Sequence, residues 1–69
     1  DHAAMFETSL MMALYPELVD MNRLDSDMTK PNIGVLGEDP RCYASREFGF
    51  KILSRFEDII KCHIKKILR

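Results

Sequence analysis

Residues 45–68 of this chain carry apolar side chains at three- and four-residue steps: Phe48, Ile52, Phe56, Ile59, Ile60, Ile64, Ile67 and Leu68. That is the helical period, and it predicts one long amphipathic helix of about six turns. Ser45 is placed to cap it, Glu47 suits its first turn, and Lys65, Lys66 and Arg69 complement the negative end of the helix dipole. Arg46, Lys51, Arg55, Glu57, Asp58, Lys61 and Lys65 take the other face, with Glu47 to Lys51 and Glu57 to Lys61 at the spacing of supporting i,i+4 pairs. The constraint lies in the stripe. An aromatic and β-branched face of this length has to be covered, and a β-sheet is its natural counterpart in α/β proteins.

The rest of the chain offers little cover. Good helix formers dominate from Glu7 to Tyr15, where Thr8 or Ser9 is placed to cap, so a short helix is expected over about 7–15. Pro16 ends it or opens a separate turn through Leu18, and Val19 to Met21 reads as a brief extended piece. Over about 20–43 turn residues recur every few positions: Asp25-Ser26-Asp27, Lys30-Pro31-Asn32, Gly34, Gly37 and Asp39-Pro40. A long loop is expected there, of a kind that is commonly functional or draped over a partner surface. No convincing set of strands appears, so the sheet is expected to come mainly from other sequence. A unit of 69 residues buries only about 60% of its unfolded surface and is marginal by itself. The chain also opens at Asp1, directly inside a motif. Residues 1–69 are therefore read as a fragment of one larger domain.

Composition narrows the partners. Formal net charge is −1 with 30% charged residues, so there is no basic excess to attract phosphate and no nucleic-acid partner is expected. No apolar run approaches the roughly 20 residues of a membrane span, so no membrane partner is expected either. Cys42 and Cys62 are too few to staple a secreted mini-protein, which favours a reducing, cytoplasmic setting.

His2 and Glu7 are the chemically loaded pair, lying five positions apart at the mouth of the first helix. An imidazole and a carboxylate in that position are groups a hydrolase uses to move protons. From spacing alone the plainer explanation is that Glu7 satisfies backbone N–H groups of the first turn and His2 is an ordinary surface residue. Cys42, Cys62, His63 and His2 lack any Cys-x-x-Cys or His-x-x-x-His pair, and positions 62 and 63 diverge by about 100° on a helix, so a zinc site is not expected. Met11 and Met12, beside Leu10 and Leu14, read as core filler. Gly34-Val35-Leu36-Gly37 is too sparse for a phosphate loop; its glycines are expected to permit tight turns or close backbone approach.

Larger motifs reweight that pair. His2-Ala3-Ala4, a spacer, then Phe6-Glu7-Thr8-Ser9-Leu10-Met11, Ala13-Leu14, Pro16 and Leu18-Val19 resemble the signature near the C-terminus of the creatininase (creatinine amidohydrolase) family. Gly34-Val35-Leu36-Gly37 and Ala44-Ser45-Arg46-Glu47-Phe48-Gly49 are similar to that family's G-V-x-G and A-S-x-x-x-G passage before its final helix. The resemblance implies the C-terminal part of a three-layer α/β/α domain. It also implies a metal-dependent amidohydrolase that cleaves a cyclic or linear amide C–N bond with two divalent ions, zinc and/or manganese. His2 would protonate the departing nitrogen, Glu7 would orient His2 or a metal-bound water, and Asp1 would line the substrate pocket. The family's metal ligands come from Glu-x-His, Asp and Gly-His elements that do not occur here, so no metal residue is assigned and this chain alone is expected to be inactive. The implied partners are a small-molecule amide, the remainder of the same polypeptide and further copies in a homo-oligomer, often a hexamer.

Two positions depart from the family pattern. Ala4 stands where glycine is common, which would forbid backbone conformations that glycine permits and could shift His2. Met5 stands where many members carry glutamate, leaving the substrate open. The rival expectation is a non-catalytic homologue or a helical interaction and oligomerisation module, with His2 and Glu7 as relics.

Overall fold

Helix α1 covers Met5–Leu14, two residues upstream of the expected start, because its first turn is held from outside. The Asp1 carboxylate accepts the Phe6 N–H at 2.6 Å and the Glu7 N–H at 3.2 Å, satisfying two of the amides that a helix leaves open. Thr8 and Ser9 then sit inside the helix and do other work. Thr8 Oγ1 donates to the Ala3 carbonyl at 3.0 Å, and Ser9 Oγ accepts the Ser45 N–H at 3.0 Å. Tyr15 closes α1 on Met11, and Pro16–Leu18 and Met21–Arg23 follow as single 3-10 turns. Helix α2, Pro40–Tyr43, is one turn capped by the Asp39 side chain. Helix α3 spans Arg46–Ile67, with Ser45 Oγ accepting the Phe48 N–H at 3.0 Å.

The structure, a computed structural model, describes residues 1–68; the expected dipole contribution of Arg69 lies outside the described residues. The expectation of an α/β, three-layer α/β/α architecture is corrected here. Among the described residues there is no strand and no sheet, only an isolated antiparallel bridge between His2 and Leu36. Between Asp20 and Tyr43, Pro31, Gly34, Gly37 and Pro40 break the backbone too often for a second ladder position to form. Two expected side-chain pairs also do not form: Glu47–Lys51 and Glu57–Lys61 are not among the ion pairs of the described residues. Arg46 instead lies over the Phe50 ring, 5.3 Å from its centroid.

Helices α1 and α3 pack through small residues. Ser9 is fully buried, Ala13 and Ile52 nearly so, and Gly49 is buried against α1. A Cβ at Gly49 would collide with the Ser9 carbonyl oxygen and come within 2.9 Å of the Ala13 Cβ, so the backbones approach as closely as they do only because position 49 has no side chain. Phe6 closes the upper part of the seam, its ring centroid 6.4 Å from that of Phe48 and 6.3 Å from that of Phe56. Beyond that point cover ends. Helix α3 has 22 residues against 10 in α1, and no residue from Ser54 to Leu68 is buried. Ile59, Ile60, Ile64 and Ile67 are all exposed.

The long connection is ordered by one side chain. Arg41, only 9% exposed, donates Nη1 to the Asp25 and Asp27 carbonyls at 2.9 and 3.1 Å, and Nη2 to the Lys30 carbonyl at 2.8 Å. It also donates to the Asp39 carboxylate from Nε, at 3.1 Å to each oxygen, and from Nη2 at 2.8 Å. Asp39 further accepts the Arg41 N–H at 2.9 Å and Asn32 Nδ2 at 3.0 Å. These hydrogen bonds, the Arg41 side chain first among them, bring the Asp39 carboxyl down from 3.8 to about 2. The same contact raises the Arg41 guanidinium further. Asp27, whose carboxylate accepts the Thr29 hydroxyl at 2.6 Å and the Thr29 N–H at 3.0 Å, is likewise lowered.

Three outcomes are expected. Gly49→Ala gains helix propensity but forces the helices apart, for a net loss of about 1–3 kcal/mol by chemical denaturation of the polypeptide that carries this segment. The 69-residue chain by itself, with the α3 stripe open, should melt broadly by circular dichroism rather than in one sharp transition. Because the folded Asp39 pKa lies below its ordinary value, its stabilisation is complete above pH 3.8 and is lost as pH falls toward about 2. Carboxyl-carbon NMR should place its midpoint near 2, and Arg41→Gln should return it toward 3.8.

Candidate functional site

The segment ahead of α1 is clamped from one side by residues 36–38. His2 exchanges both backbone bonds with Leu36, at 2.8 and 2.9 Å, and the Met5 N–H donates to the Glu38 carbonyl at 3.0 Å. Gly37 lies between them with φ +134, where a Cβ would come within 2.9 Å of both the Asp1 and Ala4 Cβ atoms. Its lack of a side chain thus serves both the backbone conformation and the close approach.

The residue that takes up the turn is Ala3, at φ 52. This left-handed conformation costs an alanine about 1–2 kcal/mol. It is held from both sides: Glu7 Oε2 accepts the Ala3 N–H at 2.7 Å, and Thr8 donates to the Ala3 carbonyl. Strain of this kind persists where surrounding bonds over-determine it. Ala4, which stands where glycine is common in the family, is extended at φ −101 and fully buried, a conformation open to alanine.

This turn brings His2 and Glu7 together. Nδ1 of His2 lies 3.9 Å from Oε2 of Glu7, with the side chains 69% and 52% exposed. At that separation and exposure the pair contributes little to stability. Of the two, Glu7 is the anchored partner, through the Ala3 amide. Asp1 accepts one N–H of the first turn of α1 on each carboxylate oxygen, the 3.2 Å bond from Glu7 N–H being the longer.

Glu7 also faces a cleft of about 360 Å³ between α1 and the connection, walled by Met11, Leu18, Met21, Leu24 and Val35, with Asp20 as its second carboxylate. His2 and Asp1 do not line it. Its size and mostly apolar wall are those of a small-molecule site. Sequence reasoning missed Asp20, whose Oδ1 accepts the Asn22 N–H at 3.1 Å; an aspartate two residues ahead of that donor was the available signal.

The donor set does not hold a metal ion unaided: among the described residues no three His, Cys, Asp or Glu side chains come together. Cys42 and Cys62 are both free and exposed. His63 lies with Cys62, Arg55 and Asp58 along α3, away from the cleft lining. Of the methionines expected as filler, Met12 is half-buried and Met11 lines the cleft. No helix of the described residues is long and apolar enough to cross a membrane.

The motifs that were distant in sequence meet in space. The Gly34–Gly37 passage leads into the clamp on His2, and both Ser45 and Gly49 contact Ser9 of α1. No protein-family model matches the chain, and no solved structure matches it. Over 42 residues, 58% of its length, the chain is 48% identical to a creatinine amidohydrolase of Pseudomonas putida. That stretch spans 16% of the relative's length.

Proposed function

We propose that this chain is a segment of a larger amide-hydrolysing enzyme, in which His2 and Glu7 handle the proton given to the departing nitrogen. The observation that carries the reading is the His2–Glu7 pair at 3.9 Å, in which Glu7 is anchored through the Ala3 amide and lines a cleft. Similarity to the Pseudomonas putida creatinine amidohydrolase supports an amide substrate.

In this reading Glu7 accepts from Nδ1 of His2, which fixes the ring and leaves Nε2 to deliver the proton. The 3.9 Å separation closes to a hydrogen bond when substrate docks, as catalytic contacts commonly do. Asp1 keeps the first turn of α1, and with it Glu7, in place beside the substrate. The two divalent ions implied by the family resemblance would be held by residues outside this chain. The cleft of about 360 Å³ that Glu7 lines would take the body of the amide, with the departing nitrogen outside it toward His2, which does not line it.

The open apolar face of α3 favours a second reading, a non-catalytic helical interaction or oligomerisation module. One experiment separates the two. In the full-length polypeptide, His2→Ala should lower kcat for creatinine hydrolysis by about 10²–10⁴-fold, the usual worth of a general acid, with bound metal unchanged by elemental analysis. Glu7→Gln should lower it less. An unchanged kcat for His2→Ala overturns the proton-handling role, and loss of metal would make His2 a ligand.

A further inference from the structure

Arg41 does more than fold its loop. Its guanidinium gathers the carbonyls of Asp25, Asp27 and Lys30 while it forks onto Asp39, and Asp39 in turn holds Asn32. Four residues beyond Asn32, Leu36 makes both backbone bonds to His2; one residue before Asp39, Glu38 accepts the Met5 N–H. The backing of His2 is therefore suspended between two points, Asn32 and Asp39, and both are fastened to one side chain or its carboxylate partner. Within that span Gly34 and Gly37 give the backbone little stiffness of its own.

We propose that Arg41 is a positioning residue for His2, acting through the Asn32–Asp39 span and the Leu36 pairing rather than by contact with substrate. This rests on the proton-handling role of His2 given above. Lysine is a poor replacement because it carries one ammonium point charge, whereas the planar guanidinium supplies five N–H donors in a fixed fork that here reaches three separated carbonyls and a carboxylate. Arg41→Lys keeps a cation opposite Asp39 and releases the loop carbonyls.

The test is a double-mutant cycle in the full-length polypeptide, with Arg41→Lys, His2→Ala and the pair. Arg41→Lys is expected to lower kcat about tenfold and change KM less than twofold. In the His2→Ala background the same substitution should have almost no effect, because the group it aims is gone. Hydrogen exchange at the His2 and Leu36 amides should speed up about tenfold, with the α3 amides unchanged. Additive losses, or an unchanged kcat with faster exchange, overturn the positioning role while leaving that of His2 intact. An unchanged kcat for His2→Ala overturns the role of His2 first, so the two failures are distinct. If Arg41→Lys also exposes the α3 amides, Asn32→Ala replaces it, since this removes one bond from the same suspension. The same pattern at smaller amplitude then supports the proposal, and its absence overturns it.

Discussion

The contact between Gly49 and the Ser9 carbonyl is the one on which the remainder depends. It sets the distance between the two main helices, and at that distance Ser9 Oγ reaches the Ser45 N–H. One buried serine thus fixes the crossing and helps to fix the start of α3. Ser45 then caps α3 with its own hydroxyl, so the two serines form a short relay of bonds from one helix to the next. The core around this relay is small and made of small side chains, which explains why close approach rather than apolar bulk holds the pair together.

Local rules carried as far as they reach. The stripe from Phe48 onward and the cap at Ser45 depend on neighbours within one or two turns, and both are visible along the sequence. The start of α1 is not local in that sense, because its cap is supplied by Asp1, outside the residues where a capping side chain normally stands. Asp39-Pro40 was read as a turn, yet the same two residues cap and open α2. The expected sheet came from what the α3 stripe demands, whereas strand-forming runs are absent from the described residues. A demand for cover does not specify the element that supplies it.

At the candidate site, spacing alone favoured a capped helix start, and it was the family resemblance that singled out His2 and Glu7 and the small residue at Ala4. Neither pointed to Ala3, since that rests on which residue must turn so that Glu7 and Thr8 can bond backwards. Arg41 was hidden for a related reason. Three of its partners are main-chain carbonyls, which leave no residue type to recognise.

The two-sided hold on Ala3, together with the Leu36 pairing, also decides how fast the imidazole can move. Backbone on each side of its Cα is tethered, by Leu36 at His2 itself and by Glu7 and Thr8 one residue on. The freedom left to His2 is torsion about its own side-chain bonds, which for an exposed residue takes picoseconds to nanoseconds. Loop rearrangement would take microseconds or longer. Ring reorientation in this arrangement is therefore far faster than a typical enzymatic turnover, and the bonds that hold the strained Ala3 keep the slow coordinate still.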